Sequence, residues 1–127
     1  MLKLLLDEHI SPNVAKGLRR RNRSKDRPIT VFAMRDWEGG SFLGQDDAAC
    51  LTEGAAQELT LVTYDVRTIP PLLKNWAEEG RSHGGVIFVD YKTIAPSDIG
   101  GLVVALSGLA GEARDWDWAD RVCFLRR

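Results

Sequence analysis

Three aspartates in this chain directly follow short apolar runs: Asp7 after Leu4-Leu5-Leu6, Asp65 after LTLVTY at 59–64, and Asp90 after VIFV at 86–89. Two more, Asp46 and Asp47, precede a segment whose Ala48, Leu51, Ala55 and Leu59 recur at helical spacing. Carboxylates gathered at one place repel each other and raise one another's pKa unless a cation neutralises them. Hard divalent cations take oxygen ligands, and Mg²⁺ combines one or two carboxylates with waters and phosphate oxygens. Three or more acids without His or Cys partners therefore point to Mg²⁺ or Mn²⁺ and away from zinc. Such a centre activates water and steadies the charge of an in-line phosphodiester displacement. Other reactive constellations are missing. His9 and His83 have no i,i+4 partner, and no nucleophile elbow, P-loop or dinucleotide-binding glycine motif occurs.

The acids gain meaning only from the elements that carry them. Leu2–Leu6 reads as a buried strand, and Ser11-Pro12 as the cap and first residue of a helix running to about Arg21. Residues 29–34 form a second strand, 35–45 a glycine-containing loop, and Asp46-Asp47 open a second helix. A third strand spans 59–63, and a helix begins at Pro70-Pro71 and closes at Gly80. A fourth strand at 86–89, a long helix from Pro96 to Leu109 and a last strand at 121–125 complete the chain. Alternating strands and helices predict an α/β fold, a parallel sheet covered on both faces. Ligands of such sheets sit outside the carboxyl ends of the strands, where Asp7, Asp65 and Asp90 all fall.

Each acid has a plainer reading beside the chemical one. An Asp after a strand is commonly a turn or cap residue. Asp46 is best read as the N-cap of its helix and Asp90 as the start of a turn. Asp7 and Asp65 stand out because no local capping motif explains them.

Length and composition bound the rest. A chain of 127 residues has room for one domain, 1–127, and buries enough surface to fold without disulfides or metal. A hydrophobic share of 44% with 17 basic against 18 acidic residues excludes a polycation, an acidic tail and a disordered linker. No apolar run is long enough to cross a bilayer, and Asp7-Glu8 interrupt the only leader-like stretch at once. Cys50 and Cys123 form no CxxC and read as buried thiols of a reducing compartment, so a cytoplasmic location is expected. The balanced charge hides an asymmetry: residues 1–27 hold eight basic and three acidic residues, concentrated in Arg19, Arg20, Arg21, Arg23, Lys25 and Arg27. This cluster suits a helix C-terminus through the dipole, and it equally suits a phosphate-contacting patch.

The segments LLLDEHISP at 4–12, VFAMRDW at 31–37, DDAACL at 46–51, LVTYD at 61–65 and GVIFVD at 85–90 occur in an order that resembles small bacterial PIN-like proteins. The resemblance implies a three-layer α/β/α sandwich with a central, mainly parallel sheet. It also implies a metal-dependent ribonuclease, of the type found among toxins of toxin–antitoxin pairs. Asp7, Asp47 and Asp65 match the family's acidic positions and are the implied Mg²⁺ or Mn²⁺ ligands. Asp36 matches the RD motif, either as a fourth catalytic acid or as a partner supporting the ligands from behind, with Arg35 helping to organise its loop. His9 stands where relatives carry Asn, and Arg67 replaces a second acid in VTYDVRT, which removes a ligand and offers a guanidinium to a substrate phosphate.

The leading expectation is a Mg²⁺/Mn²⁺-dependent nuclease acting on RNA, with Arg67, Arg35 and the Arg19–Arg27 cluster guiding the phosphate backbone. A phospho-acceptor receiver with Asp65 as acceptor is a second class. Against it, Asp90 replaces the hydroxyl residue after the fourth strand and no Lys-Pro follows the fifth. A catalytically silent PIN-like binding module is the third. By analogy with toxin-like relatives, an antitoxin protein and a homodimer are the expected protein partners, and no membrane. Trp116, Trp118 and Phe124 then read either as such a contact surface or, preferably, as part of a buried terminal strand.

Overall fold

The computed structural model describes residues 2–22 and 29–127. Five strands form one all-parallel sheet: β1 (Lys3–Leu6), β2 (Thr30–Ala33), β3 (Thr60–Thr63), β4 (Val86–Phe88) and β5 (Val122–Phe124). Four helices intervene: α1 (Pro12–Asn22), α2 (Asp47–Ala56), α3 (Ile69–Glu78) and α4 (Ile99–Glu112). The strand order is β2-β1-β3-β4-β5. The chain reverses its direction of winding at β1, so a crevice opens between the carboxyl ends of β1 and β3.

Alternation along the strands divides the core into two layers. Leu4 and Leu6 of β1, Val62 of β3 and Ile87 of β4 pack with Val14 and Leu18 of α1 and Leu102 and Leu106 of α4. Leu5, Leu61, Val86 and Phe88 face the other way, against Leu51 of α2 and Ile69 and Trp76 of α3. The result is the expected α/β/α sandwich. Gly17 lets α1 approach α4 closely, since a Cβ there would stand 2.7 Å from Val103 Cγ2. The 35–45 loop includes a 3₁₀ turn at Trp37–Gly40 and needs glycine at Gly40, where φ is +83° and a Cβ would stand 2.9 Å from the Arg35 carbonyl oxygen.

Element boundaries differ modestly from the sequence expectation. The long helix starts at Ile99, not Pro96, because Asp98 caps it by accepting from Gly101 N at 2.8 Å. The larger difference is at the last strand. β5 is not buried: it forms an edge of the sheet, with Val122 and Phe124 exposed. Trp118 is buried and Trp116 more exposed, both in the connection before β5. Cys50 is buried, whereas Cys123 is only half-buried. Among the described residues, no helix is long and apolar enough to cross a membrane.

A buried histidine locks the loops that feed β4 and β5. His83 Nδ1 accepts from Gly85 N at 3.0 Å, the His83 amide donates to Asp120 Oδ1 at 3.1 Å, and Asp120 N returns a bond to the His83 carbonyl at 2.9 Å. Burial pushes the imidazole pKa below its ordinary 6.5, against the opposing pull of Asp120. The unfolded chain therefore takes up this proton before the fold does, and stability present above the unfolded value is lost as pH falls through it. Urea midpoints should decline between about pH 7 and 5, and His83→Gln should flatten that slope. An unchanged slope would show that His83 does not titrate against the fold.

Candidate active site at the β1/β3 edge

Strand parity decides which side chains meet. Asp7 continues the Leu5 face of β1, and Thr63 and Asp65 continue the Leu61 face of β3, so all three project to the α2/α3 side at one sheet edge. The Asp7 amide still donates to the Val62 carbonyl at 3.0 Å, which holds the residue in the ladder's register. Helices α2 and α3 begin at this same edge and bring in Asp47 and Thr68.

Two threonine hydroxyls link three aspartates. Thr63 Oγ1 donates to Asp7 Oδ2 at 2.7 Å and accepts from the Asp65 amide at 3.0 Å. Thr68 Oγ1 contacts Asp47 Oδ2 at 2.8 Å and also Asp65 Oδ2. The sequence-predicted trio of Asp7, Asp47 and Asp65 is thus drawn together, and Asp47 rather than Asp46 is the helix acid involved. Asp46 instead caps α2, accepting from Ala49 N at 2.8 Å. Asp90 likewise serves its own turn, accepting from Lys92 N at 2.9 Å.

Asp7 and Asp65 do have local roles, contrary to the expectation that no local motif explains them. Asp65 Oδ1 accepts from the Arg67 and Thr68 amides, each at 2.9 Å, and Asp7 Oδ1 accepts from Glu8 N at 2.7 Å. In each residue one oxygen shapes the turn and the other is directed to a hydroxyl. The two threonines are what sequence reasoning missed. The sequence offers no signal for Thr68, which reads as an ordinary cap; in the structure it is the N-cap of α3, yet its side chain makes no capping bond.

The surroundings drive Asp7 and Asp65 apart. Burial pushes the Asp7 carboxyl upward, against the hydrogen bonds from Thr63 and Glu8, and the charge of Asp47 adds to that push. For Asp65, partial burial also pushes upward but is outweighed by the Thr68 hydroxyl and the Thr68 and Arg67 amides, leaving it lowered. A protonated His9 favours the anion of both, which places the imidazole within electrostatic reach of the pair. Nearby, burial pushes the Cys50 thiol up to about 11, helped by Asp47, Asp7, Glu8 and Asp46. A thiol so raised is not a nucleophile. Asp7, Glu8, Gln45, Asp47 and Cys50 line a small cavity there.

Of the remaining predicted residues, Arg67 adjoins this cluster and the others lie apart from it. Asp36 and Arg35 follow β2, the strand next to β1, and are exposed; among the described residues Asp36 makes no side-chain cap bond to its turn. Arg67 is exposed beside Asp65, touching it through the backbone amide. Arg19, Arg20 and Arg21 form the last turn of α1, which runs back from the acids, so they sit toward the opposite sheet edge. There Arg19 donates to the Val31 carbonyl of β2. Arg23, Lys25 and Arg27 lie outside the described residues.

The donor set fits a hard cation. The Thr68 hydroxyl has one proton and touches two carboxylates, so one of those contacts lacks a donor. The oxygens of Asp7, Asp47 and Asp65 are the ligands Mg²⁺ and Mn²⁺ prefer. Among the described residues, no group of three or more His, Cys, Asp or Glu side chains is arranged so as to hold a metal ion. An anion, by contrast, finds few donors at α3: Pro70 and Pro71 have no amide hydrogen, and Asp65 already holds those of Arg67 and Thr68. Compared with protein-family models, curated proteins and solved structures, the chain gives no match.

Proposed function

We propose that this protein is a Mg²⁺- or Mn²⁺-dependent nuclease acting on RNA, with Asp7, Asp47 and Asp65 holding the cation. The observation that carries this reading is the pair of carboxylates, Asp47 and Asp65, sharing the single proton of Thr68 at the β1/β3 crevice. When bound, the cation activates water and offsets charge on a phosphodiester. The chain's own residues do the positioning. Thr63 orients Asp7, the Arg67 and Thr68 amides keep Asp65 ionised and fixed, and Arg67 supplies positive charge beside an otherwise anionic edge. RNA as substrate, and an antitoxin as partner, rest on the PIN-like resemblance.

The two adjacent helix acids give a sharp test. Asp47→Asn should abolish divalent-dependent cleavage of a single-stranded RNA pool. Asp46→Ala should leave cleavage intact while lowering stability by about 1 kcal/mol through loss of the α2 cap. Equal activity in the two variants would remove Asp47 from the site. The strand order β2-β1-β3-β4-β5 also suits a receiver domain, but Asp90, engaged in its own turn, stands at the end of β4 where a receiver carries Ser or Thr. Labelling of Asp65 by acetyl phosphate would favour that second reading.

A further inference from the structure

The two edges of the sheet are finished differently. On β2, Met34 N bonds inward to the Leu6 carbonyl, so Val31 and Ala33 direct their carbonyls outward. Both are occupied, by the Arg19 side chain and by the Asp36 amide. On β5, Val86 N bonds to the Arg121 carbonyl and Leu125 N to the Phe88 carbonyl, so the odd-numbered residues face β4. Val122 and Phe124 therefore turn their backbone groups to solvent, and among the described residues neither group has a partner outside the strand. An open edge of this kind is a template for another strand.

Apolar surface is concentrated at the same edge. Of the seven exposed large hydrophobic residues among the described residues, four lie here: Val104 of α4, Trp116, Val122 and Phe124, the last 58% exposed. A groove of about 830 Å³ runs between α4 and β5 past Trp116, Cys123 and Arg126.

We infer that the chain self-associates through β5, two copies pairing this strand antiparallel about a two-fold axis at Cys123. About Cys123 the flanking residues pair Val122 with Phe124, Arg121 with Leu125 and Asp120 with Arg126. With Cys123 opposite its own copy, Val122 falls opposite Phe124 of the second copy. These are the residues whose backbone groups point outward, so they form the hydrogen-bonded pairs that an antiparallel ladder requires. Beyond the ladder, where Asp120 leaves the strand in a left-handed turn, Arg126 approaches the exposed carboxylate of Asp120 of the second copy, twice by symmetry. Shifting the register so that Phe124 faces itself would oppose Arg121 with Arg127. A two-fold interface must be self-complementary, and this one is in hydrogen bonding, apolar surface and charge.

The register places the two Cys123 residues in a non-hydrogen-bonded pair with α-carbons about 4.5 Å apart, inside the range a disulfide spans. Sedimentation of the wild-type chain should give twice the monomer mass. Phe124→Lys should halve that mass with an unchanged far-ultraviolet circular dichroism spectrum, and Arg126→Glu should weaken association at least tenfold. Copper–phenanthroline oxidation should join the wild-type chains, and Cys123→Ser should abolish that product. A monomeric wild type at millimolar concentration, a dimer insensitive to Phe124→Lys, or a dimer that does not cross-link at Cys123 would overturn the assignment. None of these readouts depends on nuclease activity.

Discussion

Asp7→Asn is expected to lose at least about a hundredfold in divalent-dependent cleavage, on the scale of disrupted metal sites, while melting at a higher temperature in chelator. The two effects share one cause. Burial raises the pKa of Asp7, so its ionised form is less well accommodated in the fold than in the unfolded chain. Its penalty is absent at low pH, sets in as pH rises through the ordinary carboxylate value and is complete above the raised folded value. Asparagine keeps an oxygen for the Thr63 hydroxyl and removes the charge. Wild-type stability without metal should therefore carry a penalty above the carboxylate range that the variant lacks, read from circular dichroism melts. A variant that melts lower would identify Asp7 as a turn former whose bond to Glu8 N matters more than its charge.

Thr68→Val is expected to lower stability in chelator by about 1 kcal/mol, the usual net worth of a hydrogen bond, with Mn²⁺ restoring most of the loss. Valine conserves shape but removes the one proton between Asp47 and Asp65, leaving two carboxylates opposed. A bound cation neutralises the same pair, so added Mn²⁺ should raise the melting temperature of the variant more than that of the wild type. Thr68→Ser should behave as wild type. Equal shifts in all three proteins would mean that the carboxylates do not share a cation.

Much of this site is legible in the sequence because strand periodicity is a local property. The apolar runs before Asp7 and Asp65 place both residues at carboxyl ends of parallel strands, and their odd-number parity with Leu5 and Leu61 places both on one face. The choice between Asp46 and Asp47 also follows locally, since the first residue of the pair caps the helix. What the sequence does not display is contact between elements. Thr68 looks like an ordinary cap before Ile69-Pro70-Pro71, and only the packing of α2 beside α3 brings Asp47 to its hydroxyl. The same limit explains the arginines. Clustered charge at the end of α1 is visible, but the return direction of a helix after β1 carries Arg19, Arg20 and Arg21 away from the acids. For β5, the apolar pattern at 121–125 resembles that of a buried strand, and its edge position depends on the order in which five strands pair.

The central claim is that Asp7, Asp47 and Asp65 bind a divalent cation used for phosphodiester cleavage. It is tested most directly by calorimetric titration of Mn²⁺ into the wild-type protein and the Asp7→Asn/Asp65→Asn double variant, with the same samples incubated with single-stranded RNA. Saturable Mn²⁺ binding and RNA cleavage in the wild type, both lost in the double variant, is the predicted result. Absence of binding by the wild type at millimolar Mn²⁺, or binding that survives in the double variant, would contradict it.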